Sequence, residues 1–180
     1  MSDPIAQQLP RRGRGTHLSE YPTADGESPG PASWTEVEKA LRAGDATSWL
    51  STRSPAGVHT RPLFAAWTGT SFVFATKSSA AKTAHMDADG RVSLAVDLHT
   101  LHLVVEGTVE RLTSEAELTR ASTALLKVYG WPTTVVGGEL DAAFGAPTSG
   151  GPPYRAYELV PSRAFAFPTD DQVEPTRFIW

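Results

Sequence analysis

The sequence predicts a mainly β domain of the α+β class, an antiparallel barrel with flanking helices. Short runs of strand-forming residues recur between residues 46 and 112, separated by turn residues. Their spacing is that of an antiparallel barrel, not of a βαβ sheet. Capping-box patterns, Ser33 with Glu36 and Ser114 with Glu117, place a helix on either side of that run.

Taken in order, residues 1–33 hold nine Gly or Pro and few large apolar side chains. Such a segment buries too little surface to offset its ordering entropy, so a flexible arm is expected, with the folded domain at 34–180. The first helix runs from Ser33 to about Arg42. Ala46 to Arg53 reads as a strand, Ser54-Pro55-Ala56-Gly57 as a turn, and Val58 to Trp67 as a second strand closed by Thr68-Gly69-Thr70. Ser71 to Thr76 is an aromatic-rich third strand. Lys77 to Asp87, rich in Ala, is expected to be helical.

Arg91 to Asp97 alternates cleanly, with Val92, Leu94 and Val96 on one face. Leu101 to Leu112 is a long strand in which Gly107 marks a bulge or a close backbone approach. Leu118, Ala121, Leu125 and Val128 then recur at helical spacing up to the Gly130 C-cap, with Pro132 beyond it. Residues 137–153 hold eight Gly or Pro and read as a loop. Tyr154 to Val160 and Ala164 to Phe167 are late strands, and the chain finishes in Arg177-Phe178-Ile179-Trp180.

Composition removes several function classes. At 180 residues, 40% hydrophobic and 20% charged, the chain is an ordinary globular domain with room for a core. A net charge of -4 argues against a general nucleic-acid binder. The absence of cysteine excludes disulfides, zinc–thiolate sites and a cysteine nucleophile, and fits a reducing cytoplasm. No run nears the roughly 20 apolar residues that span a bilayer. Arg11, Arg12 and Arg14 have no apolar run behind them, so no secretory signal is expected and the protein is expected in the cytoplasm. His99 and His102 fall on opposite faces of a strand and are not expected to share a metal. No nucleophile elbow, metal triad or paired carboxylates stand out.

The candidate chemistry lies in Arg61, on the second strand, and Lys82, on the following helix. Between them Thr76, Ser78 and Ser79 fall where a strand gives way to a helix. A helix N-terminus offers free N–H groups and partial positive charge, so hydroxyls and two cations converging there suit a phosphate. Taken singly, capping explains the hydroxyls and solvation explains the lysine. Their order and spacing point further.

The stretch WLSTRSPAGVHTRPLFAAWTGTSFVFATKSSAAKTAHMDADGRVSLAV, followed by LHLVVEGTVERL, resembles the core of the pyridoxamine 5'-phosphate oxidase-like and flavin/deazaflavin oxidoreductase families. KVYGWP, APTSGGPPYRAYELVPSRAFAF and TRFIW resemble an actinobacterial branch grouped with deazaflavin-dependent reductases. The resemblance implies an FMN-binding-like split β-barrel, forming a homodimer with the cofactor in a groove between two barrels. It places the phosphate on Arg61, Thr76 and Lys82, with Ser78 and Ser79 as helpers. The backbone from Thr60 through Arg61 and Pro62 to Leu63 would run along the ring. The chain departs from the pattern at Ala81, where a second basic residue is common, at His85-Met86 in place of Asn-Leu, and at Asp89-Gly90-Arg91-Val92 in place of Asn-Pro-Arg-Val.

The implied function is hydride transfer to or from a small-molecule substrate, the cofactor carrying the chemistry. The C-terminal resemblance places coenzyme F420 ahead, while Thr-Arg-Pro-Leu and the following Phe-x-Thr and Lys suit flavin mononucleotide (FMN) equally. Solvent, His59 or Tyr129 would supply a proton. Lys127, Tyr129 and Trp131 are either substrate-side residues or ordinary packing. The competing readings are a non-catalytic flavin, deazaflavin or haem binding protein, with His59, His85 or His102 as an axial ligand, and a cofactor-free scaffold.

Overall fold

A computed structural model describes residues 16–17, 29–44, 46–145, 150–170 and 172–180. The elements are β1 (Thr16–His17), α1 (Trp34–Arg42), β2 (Thr47–Ser54), β3 (Gly57–Leu63), β4 (Ala65–Trp67), β5 (Phe72–Lys77) and α2 (Ala81–Ala88). They continue with β6 (Arg91–Asp97), β7 (Leu101–Arg111), α3 (Glu115–Tyr129), β8 (Thr133–Val136), β9 (Glu139–Ala142), β10 (Tyr154–Pro168) and β11 (Thr176–Ile179). Every strand pairing is antiparallel, in the path β1-β11-β10-β7-β6-β2-β3. The fold is thus the mainly β, α+β arrangement expected.

The sheet forks along β10. Tyr154 to Leu159 pair with β5, which carries β4, while Arg163 to Ala166 pair with β11. The other side of β10 pairs with β7 from Tyr157 to Pro168, with a register shift between Pro161 and Arg163. Opposite that shift stands Gly107, and a Cβ there would lie 2.1 Å from the Val160 carbonyl oxygen. Of the two alternatives for this glycine, the close approach is the one found at Gly107, and the bulge lies on its partner strand.

Alternation along β2, β6 and β7 turns Leu50, Val92, Leu94, Val96, Leu103 and Val105 into one core with α1 over its end. Burying each such side chain contributes about 1.5–3 kcal/mol. A second core forms where Leu118, Ala121 and Leu125 of α3 meet Val73, Leu140 and Tyr154. Strand β5 is shared: Phe72 and Phe74 face the first core and Val73 the second. Both capping boxes are formed, Ser33 with Glu36 and Ser114 with Glu117, and Gly130 closes α3 with φ 60°.

Several sequence expectations are corrected. The strand expected from Val58 to Trp67 breaks at Phe64, because Ala65–Trp67 leaves β2 and pairs with β5. The helix expected from Lys77 starts at Ala81, since Lys77 still pairs with Tyr154. The expected loop 137–153 contains β9, joined to β8 by Gly137 and Gly138 at φ 59° and 81°. The two late strands are one strand, β10, bent by its bulge. Within the expected arm, Thr16–His17 pairs with Arg177 and Thr176, and Gly30 and Ala32 bond to Glu174 and Thr176. The rest of that arm, 1–15 and 18–28, lies outside the described residues. Among the described residues no helix is long and apolar enough to cross a membrane.

Candidate functional site

Strand β3 ends the sheet path, so one of its edges has no partner strand among the described residues. Pro62 lacks an N–H and fits only where its nitrogen faces away from β2. The Thr60 carbonyl points to the same open edge and accepts from Arg61 Nη1 at 2.8 Å. His59, Arg61 and Leu63 lie on the core side of β3, register partners of Thr52, Leu50 and Ser48. Helix α2 covers only part of that side. Between them opens a cleft of about 360 Å³ lined by His59, Arg61, Pro62, Ala80, Ala81, Lys82 and His85.

The cleft is electropositive and its charge is unanswered. Neither Arg61 nor Lys82 has a carboxylate partner among the described residues. Partial burial, and then the charge of Arg61, hold the Lys82 ammonium below the ordinary lysine value. The nearby carboxylates are committed elsewhere: Asp89 to Arg91 and Arg53, Asp87 to Arg155 and Tyr157. Unlike α1 and α3, α2 begins on Ala80 with no side-chain cap. Ala80 and Ala81, at the start of α2, line the same cleft as the two cations, and a helix N-terminus carries partial positive charge. An anion is what this arrangement fits.

Of the sequence candidates, the structure brings Arg61, Pro62, Lys82 and His59 together in this cleft. Thr60 and Leu63 flank them on β3 without lining it. Ser78 and Ser79 are exposed in the turn between β5 and α2, short of the helix start. Thr76 is buried on the face of β5 that carries Phe72 and Phe74 and does not line the cleft. The sequence names His85 only as one of three candidate haem ligands, and the structure places it in the cleft as well. Its ring lies 4.8 Å from that of His59, with Nδ1 3.0 Å from Thr52 Oγ1. The signal was the replacement of Asn by His85, three residues past Lys82 on one helical face.

Tyr129 stands elsewhere. Its hydroxyl donates to the Ala65 carbonyl at 3.0 Å and accepts from the Ala65 N–H at 3.1 Å, and its ring stacks on Phe64. Burial pushes its hydroxyl above the ordinary tyrosine value. That is a structural clamp between α3 and β4. Tyr129→Phe is expected to cost about 1–3 kcal/mol in thermal denaturation, because it strands both Ala65 groups, and to leave ligand affinity unchanged. Lys127 lines a separate groove between α1 and α3, and Trp131 is buried, its indole N–H on the Phe144 carbonyl.

The chain matches a family model described as pyridoxamine 5'-phosphate oxidase over residues 34–167. Among solved structures it is similar to a pyridoxamine 5'-phosphate oxidase-related, FMN binding protein from Nostoc punctiforme, at 18% identity and TM-score 0.53, covering 81% of this chain and 88% of that one. A FAD-binding protein from Mesorhizobium loti matches at 18% identity and TM-score 0.56, covering 82% and 93%. A heme binding protein from Mycobacterium smegmatis matches at 16% identity and TM-score 0.52, covering 71% and 52%. No curated protein matches the chain. At these identities the structural likenesses speak for the fold alone, a split barrel. The family match runs from the first residue of α1 to Phe167 in β10, across the strand and the helix that build the cleft, and the chain belongs to the pyridoxamine 5'-phosphate oxidase family.

Proposed function

We propose that the protein is an oxidoreductase that holds FMN or coenzyme F420, with the cofactor phosphate in the cleft between β3 and α2 and the ring along the open edge of β3. The observation that carries this reading is the unanswered pair Arg61 and Lys82 beside the uncapped start of α2. In it, Arg61 and Lys82 bind the phosphate, the α2 N–H groups orient it, and the Thr60 carbonyl offers the ring an acceptor. Bound there, the cofactor supplies hydride transfer. Flavin-binding proteins of the same fold support the cofactor class.

The proposal includes a second copy of the chain. On the outer face of the sheet Pro62, Trp49, Ala95, Val104 and Phe165 stand in register across five strands. Trp49 is 37% exposed and the neighbouring Phe167 41%. An apolar row of this kind marks an interface. Pro62 belongs to the row and to the cleft, so a partner docked there would wall the ring site. Trp49→Glu is expected to halve the mass by light scattering, from twice 19.3 kDa to 19.3 kDa, and to weaken cofactor binding with it. A monomeric wild type would overturn the dimer.

The function is tested by titrating apoprotein with FMN and F420 in parallel, followed by reduction of an added acceptor with reduced cofactor. Binding and turnover support the oxidoreductase; binding without turnover makes the protein a carrier. One observation favours a haem carrier instead: two imidazoles share the cleft. A sharp Soret band on adding hemin, lost in His59→Ala or His85→Ala, would establish it.

A further inference from the structure

Helix α2 has little of its own to fix it. It is eight residues long, starts without a side-chain cap, and its buried residues are Thr83 and Met86. An isolated helix that short is marginal in water, so its place depends on what it is tied to. One tie is near its start, where Thr83 Oγ1 donates to the Lys77 carbonyl at 2.7 Å. A second joins it to β2, His85 Nδ1 lying 3.0 Å from Thr52 Oγ1. The third is charged and lies in the last turn. Asp87 Oδ2 accepts from Arg155 Nη1 at 3.2 Å, and Asp87 Oδ1 accepts from the Tyr157 hydroxyl at 3.3 Å.

The far side of that third tie is held firmly. Tyr157 is buried and stacks on Phe74, and at this point β10 pairs with β5 on one side and β7 on the other. Arg155 Nε lies 3.6 Å from Glu139 Oε1 of β9, which Arg111 Nη2 of β7 also approaches to 3.6 Å. A load acts against the ties. Lys82 of α2 and Arg61 of β3 line one cleft, and the charge of Arg61 acts on the Lys82 ammonium. Like charges repel, so the pair favours any motion of α2 away from β3. Asp87 does not line the cleft, and its side chain is half exposed, so its ion pair adds little to overall stability. Its effect is on where the helix sits.

We infer that Asp87 is a positioning residue for the anion site: through Arg155 and Tyr157 it holds α2 against the sheet, and so holds Lys82 beside Arg61 before an anion arrives. The inference rests on the proposed cofactor-phosphate site and adds to it a residue outside the cleft that acts through Lys82.

The test is a double-mutant cycle on the full-length protein, with Asp87→Asn, Lys82→Ala and the two combined, each titrated with FMN and with F420 by fluorescence. Asp87→Asn removes a negative charge, so electrostatics at a distance would tighten the binding of an anion. Loss of positioning weakens it. The expected result is the weakening, by about tenfold, the middle of the range for residues coupled through one contact network. The melting temperature is expected to fall by no more than about 4 °C. In the Lys82→Ala background Asp87→Asn is expected to cause no further loss, because the group it positions is gone. Unchanged or tighter binding in Asp87→Asn, with Lys82→Ala still weakened, would overturn the inference and leave the phosphate site standing. Equal losses with and without Lys82 would make Asp87 a general structural residue and overturn it as well. Unchanged affinity in Lys82→Ala, or binding of neither cofactor, removes the phosphate site and the inference together. Arg155→Gln, tested with and without Lys82, repeats the comparison from the strand side and keeps the test open if Asp87→Asn does not fold.

Discussion

Lys82→Ala is expected to weaken FMN or F420 binding by about ten- to hundredfold, and Arg61→Ala by a similar factor, because each removes a charge-assisted hydrogen bond worth about 1.5–3 kcal/mol. The same Lys82 variant is expected to melt no earlier than wild type. Burial and Arg61 lower the affinity of Lys82 for its proton in the folded chain, so the folded state is penalised for holding that cation. Below the lowered value the penalty is present in full. Between it and the ordinary lysine value the unfolded chain holds more protons than the folded one, and stability rises with pH. Lys82→Ala removes both the penalty and that alkaline rise. Fluorescence titration and calorimetric melting at pH 7 and 10 measure the two halves. Unchanged affinity in both single variants would move the phosphate elsewhere. A large loss of melting temperature in Lys82→Ala would make the lysine a structural residue.

Gly107→Ala carries the largest expected cost in stability, about 3 kcal/mol, which for a domain of this size lowers the melting temperature by roughly 6–12 °C. The added Cβ would meet the Val160 carbonyl oxygen at 2.1 Å, its carbon at 2.9 Å and Leu159 Cδ1 at 3.0 Å. The first two are backbone of β10, which cannot move alone. It is held by β7 on one side and by β5 and β11 on the other. A useful contrast is Gly137→Ala, where φ is 59° and nothing lies within 4 Å. Strain in the left-handed region alone costs about 1 kcal/mol. Equal losses at the two glycines would mean that β7 and β10 can separate at the bulge with little penalty.

The parts of the fold legible in the sequence are those that a local pattern determines. Arg91–Asp97 alternates because one face of β6 is core and the other open, and its bounds were read to the residue. Both capping boxes and the Gly130 cap are local chemistry and are all formed. Other features depend on pairing partners distant in sequence. Phe64 ends a strand only because Ala65 finds Phe74, and Lys77 stays extended only because Tyr154 pairs with it. The β8–β9 hairpin had a readable signal in Gly137-Gly138. The other glycines and prolines of residues 137–153 mask that signal.

In the candidate site, Arg61 and Lys82 were identified by their order in a family-like pattern, and the structure brings them to one cleft. Thr76 fitted the same pattern, yet its face of β5 belongs to the core. Nothing in the sequence selects His85 from His59 and His102, because its place in the cleft depends on Thr52, which a sheet register and a helix docking bring beside it.

The pairing of Thr16–His17 with Thr176–Ile179 orders events during synthesis. A chain emerging from the ribosome cannot make this contact until β11 has cleared the exit tunnel. The same delay falls on α1, which is capped from within and can form early. Besides Trp67 at 5.7 Å, the aromatic cover of Trp34 is Phe178 at 5.1 Å and Trp180 at 4.7 Å, from β11 and the residue after it. The first helix therefore waits for the last strand, and the environment of Trp34 becomes native only when the whole domain has closed.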